Sequence, residues 1–190
     1  KEKIRENFFV LDHHQPVPEE WQFHLNPLLF EMDGGSEISA AGVAFVVAKS
    51  IDEKNADLAA LAIVGAVGDM QDTGGKLIGA NQEIITDAEK AGVLKRHIGL
   101  RLYGRISRPL TQFLQFSSSP IIPMLTANEK NCYQFLQELG IELKKGDHWK
   151  SFEELSKQEQ EKFTSALIVH MHSHGVPEWK IQSLIGEVYS

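Results

Sequence analysis

The chain has 190 residues, with 19 Lys or Arg against 26 Asp or Glu and a formal net charge of −7. So acidic a chain is no general polyanion binder, and a nucleic-acid substrate would have to be gripped locally, through metal and a few arginines. At 42% hydrophobic residues it can bury a real core, and it has a single cysteine, Cys132. No internal disulfide can form, so a reducing, cytoplasmic compartment is expected. The apolar runs over 40–48 and 58–67 are too short to span a bilayer, so no membrane partner is expected, and no secretory signal is visible. The first residue is Lys1 and the last, Ser190, follows an amphipathic stretch over 181–188, a pattern expected of a piece of a longer protein.

The apolar run Phe8-Phe9-Val10-Leu11 predicts a short buried strand, followed by a loop punctuated by Pro16, Pro18 and Pro27. Asp33-Gly34-Gly35-Ser36 reads as a turn, with Ser36 a candidate N-cap for a buried helix over 38–49. A second helix, about 56–67, ends in the acidic loop Gly68-Asp69-Met70-Gln71-Asp72. From about residue 84 the pattern changes to short helices and loops. The stretch 94–108 carries Lys95, Arg96, Arg101, Arg105 and Arg108, and Ser117-Ser118-Ser119-Pro120 with Pro123 marks a loop.

Thr126-Ala127-Asn128-Glu129 has the form of a capping box. Cys132, Phe135, Leu136 and Leu139 then recur at helical spacing up to Gly140, a C-terminal stop. Ser156 with Glu159 opens another helix, striped by Phe163, Ala166, Leu167, His170, Met171 and His174 and closed by Gly175. Pro177 suits the first turn of a last helix whose stripe would be Ile181, Leu184, Ile185 and Val188. The fold class is therefore α/β, with residues 1–85 carrying strand and helices, a mainly helical insertion over 86–175, and a helix over 176–190.

The chemistry centres on Asp12-His13-His14, set at the carboxyl end of the first strand, where open α/β sheets place ligand sites. A carboxylate with neutral imidazoles suits Mn²⁺ or Mg²⁺; the competing reading is a loop whose polar residues face water. Asp69 emerges from a core helix beside Gly65 and Gly68, which would let the backbone turn and present the carboxylate, whereas Asp72 reads as a solvated turn acid. The glycine turn 33–36 could offer N–H groups to a phosphate, though the Gly-Lys-Ser/Thr ending of a P-loop is missing. Arg101, Arg105 and Arg108 would share a face if helical and could steer a nucleic-acid strand, but a salt-bridged face with a structural Arg-Pro turn is favoured. His170, His172 and His174 lack a third well-placed ligand and are read as structural, near a helix C-terminus that suits imidazole. Cys132 is read as buried and inert.

Together, Asp12-His13-His14, His24-Leu25-Asn26-Pro27, Ser39-Ala40-Ala41-Gly42-Val43-Ala44 and Ala66-Val67-Gly68-Asp69-Met70-Gln71-Asp72 resemble the DHH phosphoesterase superfamily. The likeness is closest to archaeal RecJ-like, GINS-associated nucleases. It continues through Gly104-Arg105-Ile106-Ser107-Arg108-Pro109-Leu110, Ile122-Pro123-Met124-Leu125-Thr126 and Gly186-Glu187-Val188-Tyr189.

The resemblance implies a two-metal Mn or Mg centre that hydrolyses phosphodiester bonds of single-stranded DNA or RNA from an end, linked to replication and repair. Asp12, His13, His14 and Asp69 would be the catalytic set, with His13, Asp69 and Asp12 on metal. His14, Arg105 and Arg108 would contact substrate phosphate. The family's early Asp-x-Asp motif and a further aspartate should precede the triplet, yet the eleven residues before Asp12 contain no aspartate. The associated substrate domain should follow residue 189. On this reading residues 1–85 are the C-terminal part of the DHH domain, 86–175 a candidate GINS-binding insertion and 176–190 a connection to that substrate domain. These 190 residues alone would then hold one wall of the metal site and bind metal weakly or not at all. Two alternatives are a non-catalytic module that binds GINS, and a phosphatase for small phosphate compounds.

Overall fold

A computed structural model describes residues 8–16 and 23–190; Lys1 and Pro18 lie outside the described residues. The chain divides into two compact units, 1–98 with 187–190, and 99–186. The first unit therefore extends past the expected boundary at 85 and includes the last four residues.

In the first unit, β1 (Val10–Leu11) and β2 (His24–Leu25) pair in parallel, with Val10 opposite His24 and Leu11 opposite Leu25. Parallel pairing puts the carboxyl ends of both strands on one edge, so Asp12 and Asn26 leave the sheet side by side. α1 (Ala40–Ile51) starts at Ser39, whose Oγ accepts the Gly42 N–H at 3.1 Å. Ser36 is not the cap; its hydroxyl donates to Asp33 at 2.6 Å and tightens the turn instead.

The second helix begins as a 3₁₀ stretch, Glu53–Leu58, and continues as α2 (Ala59–Gly68). α1 and α2 can approach closely because small residues meet: a Cβ on Gly65 would stand 2.5 Å from the Ala41 Cβ. Gly65 thus serves packing rather than the turn expected of it. α3 (Ala80–Lys90) was not expected as a single helix, and it buries Ile84, Ile85 and Ala88 against Val43, Phe45, Ile63 and Leu77.

The turn that presents Asp69 is a Schellman motif. The Met70 N–H donates to the Val67 carbonyl at 3.0 Å and the Gln71 N–H to the Ala66 carbonyl at 3.0 Å. Met70 takes the left-handed position, φ 56°, where glycine is the usual residue. A side chain there is strained by about 1 kcal/mol, and that of Met70 is 70% exposed, so little packing offsets the strain. Met70→Gly is expected to raise stability by up to about 1 kcal/mol in urea denaturation; a loss would mean that the Met70 side chain has a packing role.

The second unit is mainly helical: α4 (Leu110–Gln115), α5 (Glu129–Glu138), α6 (Lys157–Ser173) and α7 (Glu178–Gln182). A short antiparallel hairpin, β4 (Lys144–Lys145) and β5 (His148–Trp149), joins α5 to α6. Its core is aromatic. Phe113, Phe152 and Phe163 are fully buried, with ring centroids 5.3–6.0 Å apart.

α5 is capped by Asn128, whose side chain accepts the Asn131 N–H, not by Thr126. Thr126 Oγ1 donates to the Ser117 carbonyl and accepts from the Ile122 N–H, which braces the serine loop. The Ser156/Glu159 box caps α6 as read, and a second box, Ser151 with Glu154, was not read. There the Ser151 N–H, then His148, hold the Glu154 carboxyl down to about 2.

Cys132 is fully buried on α5 with its thiol on the Leu125 carbonyl, and burial pushes it up to about 11. A protonated, enclosed thiol is inert. Thiol reagents at neutral pH are therefore expected to label Cys132 at the rate at which the second unit opens, and labelling as fast as that of a free thiol would contradict this packing.

Two expectations change in the segments around residues 96–108 and 185–189. The arginine-rich stretch holds β3 (Arg96–Leu100), and the end of the chain holds β6 (Ile185–Tyr189), paired with it. Lys95 and Ser190 exchange backbone hydrogen bonds of 2.7 and 2.9 Å, and the Arg101 N–H donates to the Leu184 carbonyl at 2.7 Å, so the pair is antiparallel. Arg101, Arg105 and Arg108 therefore lie on no common helix, and the last helix stops at Gln182 instead of running to residue 188. Among the described residues no helix is long and apolar enough to cross a membrane.

Candidate metal centre

β1 ends at Leu11, and the next three residues form a turn around one carboxylate oxygen. Asp12 Oδ1 accepts the His13 N–H at 2.9 Å, the His14 N–H at 3.3 Å and His14 Nδ1–H at 2.8 Å. The His14 imidazole, followed by those backbone donors, holds the Asp12 carboxyl below the usual carboxylate range although partial burial opposes it. Asp12 is thus the organiser of the triplet as well as a candidate ligand. Among the described residues, only Asp12, His13 and His14 form a group of three whose ligand atoms all lie within 4.8 Å of one another.

His13 is held from behind. Its Nδ1 lies 2.7 Å from the Gly34 carbonyl oxygen, which can only accept, so Nδ1 carries a proton and the neutral ring offers its lone pair at Nε2. Nε2 faces Asp69 Oδ2 at 3.5 Å; the His13 side chain is 9% exposed and that of Asp69 44%. A ring nitrogen fixed through its other N–H by a carbonyl is the arrangement found behind metal-bound histidines. Two ligand atoms each about 2.1 Å from one ion stand about 3–3.5 Å apart, so the His13–Asp69 separation suits a shared ion. The donor set, one imidazole nitrogen and carboxylate oxygens, suits Mn²⁺ or Mg²⁺.

His14 points outward, its side chain 76% exposed and its Nδ1 taken by Asp12. Its Nε2 is available to a substrate. Asp72 is half-buried and belongs to no group of three ligand atoms.

The buried polar residues around this turn went unnoticed in the sequence. Gln71 Nε2 donates to the same Gly34 carbonyl at 2.9 Å, and Asn81 Nδ2 donates to Gln71 Oε1 at 2.8 Å. Asn26 Nδ2 donates to the His14 carbonyl at 2.8 Å while its Oδ1 caps the 3₁₀ turn Pro27–Phe30. Asn26, Gln71 and Asn81 are buried. One pair of buried amides and one glycine carbonyl therefore lock His13, the α2 terminus and α3 together. Asn26, Gly34 and Gln71 all lie in segments flagged for other reasons, but no local pattern marks a residue that supports a ligand from behind.

The other candidate side chains lie in the second unit and, among the described residues, join no metal cluster. Arg105 is buried, ion-paired through Nη2 with Glu153 and stacked on Phe152 at 5.4 Å, with burial pushing its guanidinium down against the Glu153 charge. That placement is structural rather than one offered to a phosphate. Arg108 is half-buried, between the rings of Tyr103 and Phe116. His170 Nε2 lies 2.8 Å from the Pro123 carbonyl and His174 Nδ1 2.8 Å from the His170 carbonyl. Those ring nitrogens are donors, in keeping with the structural reading.

Comparison with known proteins agrees with a DHH-family relation. Residues 102–185, nearly the whole second unit, match the DHH-CID domain. Over 175 residues the chain is 33% identical to an uncharacterized protein of Methanocaldococcus jannaschii, across 88% of this chain and 38% of that protein. The chain thus spans well under half the length of that relative. DHH-family proteins are generally metal-dependent, and neither match specifies the metal or the reaction.

Proposed function

We propose that this chain carries one wall of the metal centre of a DHH-type phosphoesterase, and that the full protein degrades single-stranded DNA or RNA from an end, in replication or repair. The observation that carries this reading is the His13 Nε2 lone pair facing Asp69 Oδ2 at 3.5 Å, with Nδ1 tied to Gly34. His13 and Asp69 would hold a divalent ion. Asp12 would share in its binding while orienting the His14 imidazole and bracing the turn through the backbone N–H groups of His13 and His14. When its ring carries both protons, the exposed His14 would donate from Nε2 to a phosphate oxygen. Bound metal in a paired site supplies a water of lowered pKa and charge stabilisation at the attacking and leaving oxygens. The further ligands are expected, by the resemblance, from outside these residues.

The test is digestion of end-labelled single strands by the full-length protein with Mn²⁺ or Mg²⁺ and with chelator. Metal-dependent release of mononucleotides is expected. Hydrolysis confined to small phosphate compounds would favour the phosphatase reading and overturn this one.

A second role has its own support. The second unit has its own aromatic core and matches the DHH-CID domain, which supports reading it as a separately folded docking unit. GINS is the partner that the resemblance implies. Co-purification of GINS with the full-length protein would support that role, and two well-behaved proteins that elute separately would oppose it.

A further inference from the structure

The turn that leads into α4 carries an arginine whose guanidinium lies over two surface aromatics. The Arg108 guanidinium lies over the Tyr103 ring at 4.9 Å and over the Phe116 ring at 5.5 Å. Tyr103 is 80% exposed and Phe116 53%, so the rings gain little from burial in the unit's core. Among the described residues no carboxylate pairs with Arg108.

The stack is held rather than accidental. Gly104 has φ +96°, and a Cβ there would stand 2.6 Å from the Arg108 Cδ, so only glycine lets the arginine lie across the turn. The Arg108 N–H closes the turn onto the Gly104 carbonyl at 3.0 Å. Pro109 then starts α4, and Phe116 caps its far end. All three side chains sit on a glycine-locked turn or a helix terminus, which leaves little ordering to be done when a ligand arrives.

Exposed aromatic faces with a guanidinium plane between them are what unpaired bases stack on, and the single positive charge suits the phosphate that follows each base. A duplex hides its base faces, so this chemistry selects single strands. We infer that Tyr103, Arg108 and Phe116 form a stacking platform for the bases of single-stranded nucleic acid. The inference rests on the substrate class proposed above and adds a base-contacting site on the second unit, made of residues other than the proposed metal ligands.

The platform is tested in the full-length protein by fluorescence anisotropy with a labelled oligo(dT) strand, with chelator present so that no cleavage occurs. Metal-dependent hydrolysis of bis(p-nitrophenyl) phosphate, too small to span a platform, is measured in parallel. Tyr103→Ala and Phe116→Ala are each expected to weaken strand binding about 5- to 100-fold. Tyr103→Trp should restore it, whereas Arg108→Lys, which keeps the charge but loses the plane, should not. Hydrolysis of the small ester should be unchanged in the Tyr103 and Phe116 variants, and unreactive Cys132 reports that the unit remains folded.

Strand affinity unmoved by both alanine variants overturns the platform and leaves the phosphoesterase reading intact. Affinity that depends on the platform in a protein that hydrolyses neither substrate supports the platform and overturns the phosphoesterase. A wild-type protein that cleaves the small ester and binds no strand overturns the platform and the strand substrate together.

Discussion

His13→Ala and Asp69→Ala, each made in the full-length protein, are expected to lower metal-dependent phosphodiester hydrolysis by more than about 100-fold. Removing a group behind a metal ligand already lowers affinity or activity about 10- to 100-fold, and these two side chains are the proposed ligands themselves. Stability should respond differently at the two positions. The His13 ring is 9% exposed and hydrogen-bonded, so its loss leaves the Gly34 carbonyl with one partner fewer and destabilises by about 1–3 kcal/mol. Asp69 is exposed at its helix end, and its removal should cost less than about 0.5 kcal/mol. Activity loss without stability loss in Asp69→Ala is therefore the informative result. Wild-type rates in both variants would remove these residues from the site.

Gly34→Ala is expected to be the most damaging single-methyl change in the first unit. The new Cβ would lie 1.9 Å from the His13 carbonyl oxygen and 2.9 Å from its carbonyl carbon. Both are backbone atoms and cannot swing aside, so the turn and the strand end must separate. Separation stretches the contacts of Gly34 with His13 Nδ1 and Gln71 Nε2 and leaves a buried amide unpaired. Overpacking of this kind costs about 1–3 kcal/mol and an unpaired buried donor about as much again. Metal-dependent activity should fall a further 10- to 100-fold, because the ring orientation of His13 is lost. Gly35→Ala is the control. Its Cβ would meet only an Asp33 carboxylate oxygen at 3.3 Å on an exposed turn, so urea denaturation should shift by less than about 1 kcal/mol. Equal, small effects at both glycines would contradict the close approach at residue 34.

Local chemistry was readable in the sequence, and contacts between distant segments were not. The triplet's position after an apolar run placed it at a strand end, although the strand is only Val10–Leu11, both half-buried, and Phe9 is 73% exposed where a buried strand over 8–11 was expected. α6 was readable from its cap and both α5 and α6 from a repeating apolar stripe, features within a few residues of one another, although the cap of α5 is Asn128 and not Thr126. The spacing of Ile181, Leu184, Ile185 and Val188 suits a helix, yet residues 185–189 are a strand. Their partner, Arg96–Leu100, is nearly ninety residues away, and tertiary pairing outweighs a short periodic signal. The same holds for the arginine stretch, whose intervals would suit a helix but which β3 and a glycine turn divide. The favoured reading of a salt-bridged arginine and an Arg-Pro turn agrees with Arg105 on Glu153 and the turn before α4.

The site divides along the same line. Type and position single out Asp12, His13, His14 and Asp69 as candidates, and the structure brings His13 Nε2 to 3.5 Å from Asp69, while the support behind His13 left no local mark. Gly34, Gln71 and Asn81 act through hydrogen bonds that join three separate segments. Each looks locally like an ordinary turn or helix residue. Asp69 also reached its place by a different route from the one expected, through a Schellman turn at Met70 and not through the flexibility of Gly65 and Gly68.

Anomalous diffraction at the manganese edge, from crystals of the full-length protein grown with Mn²⁺, tests the centre most directly. A peak about 2.0–2.3 Å from both His13 Nε2 and Asp69 Oδ2, with His13 Nδ1 still on the Gly34 carbonyl, is the expected result. Ordered manganese bound elsewhere, with these two side chains free of it, would contradict the assignment.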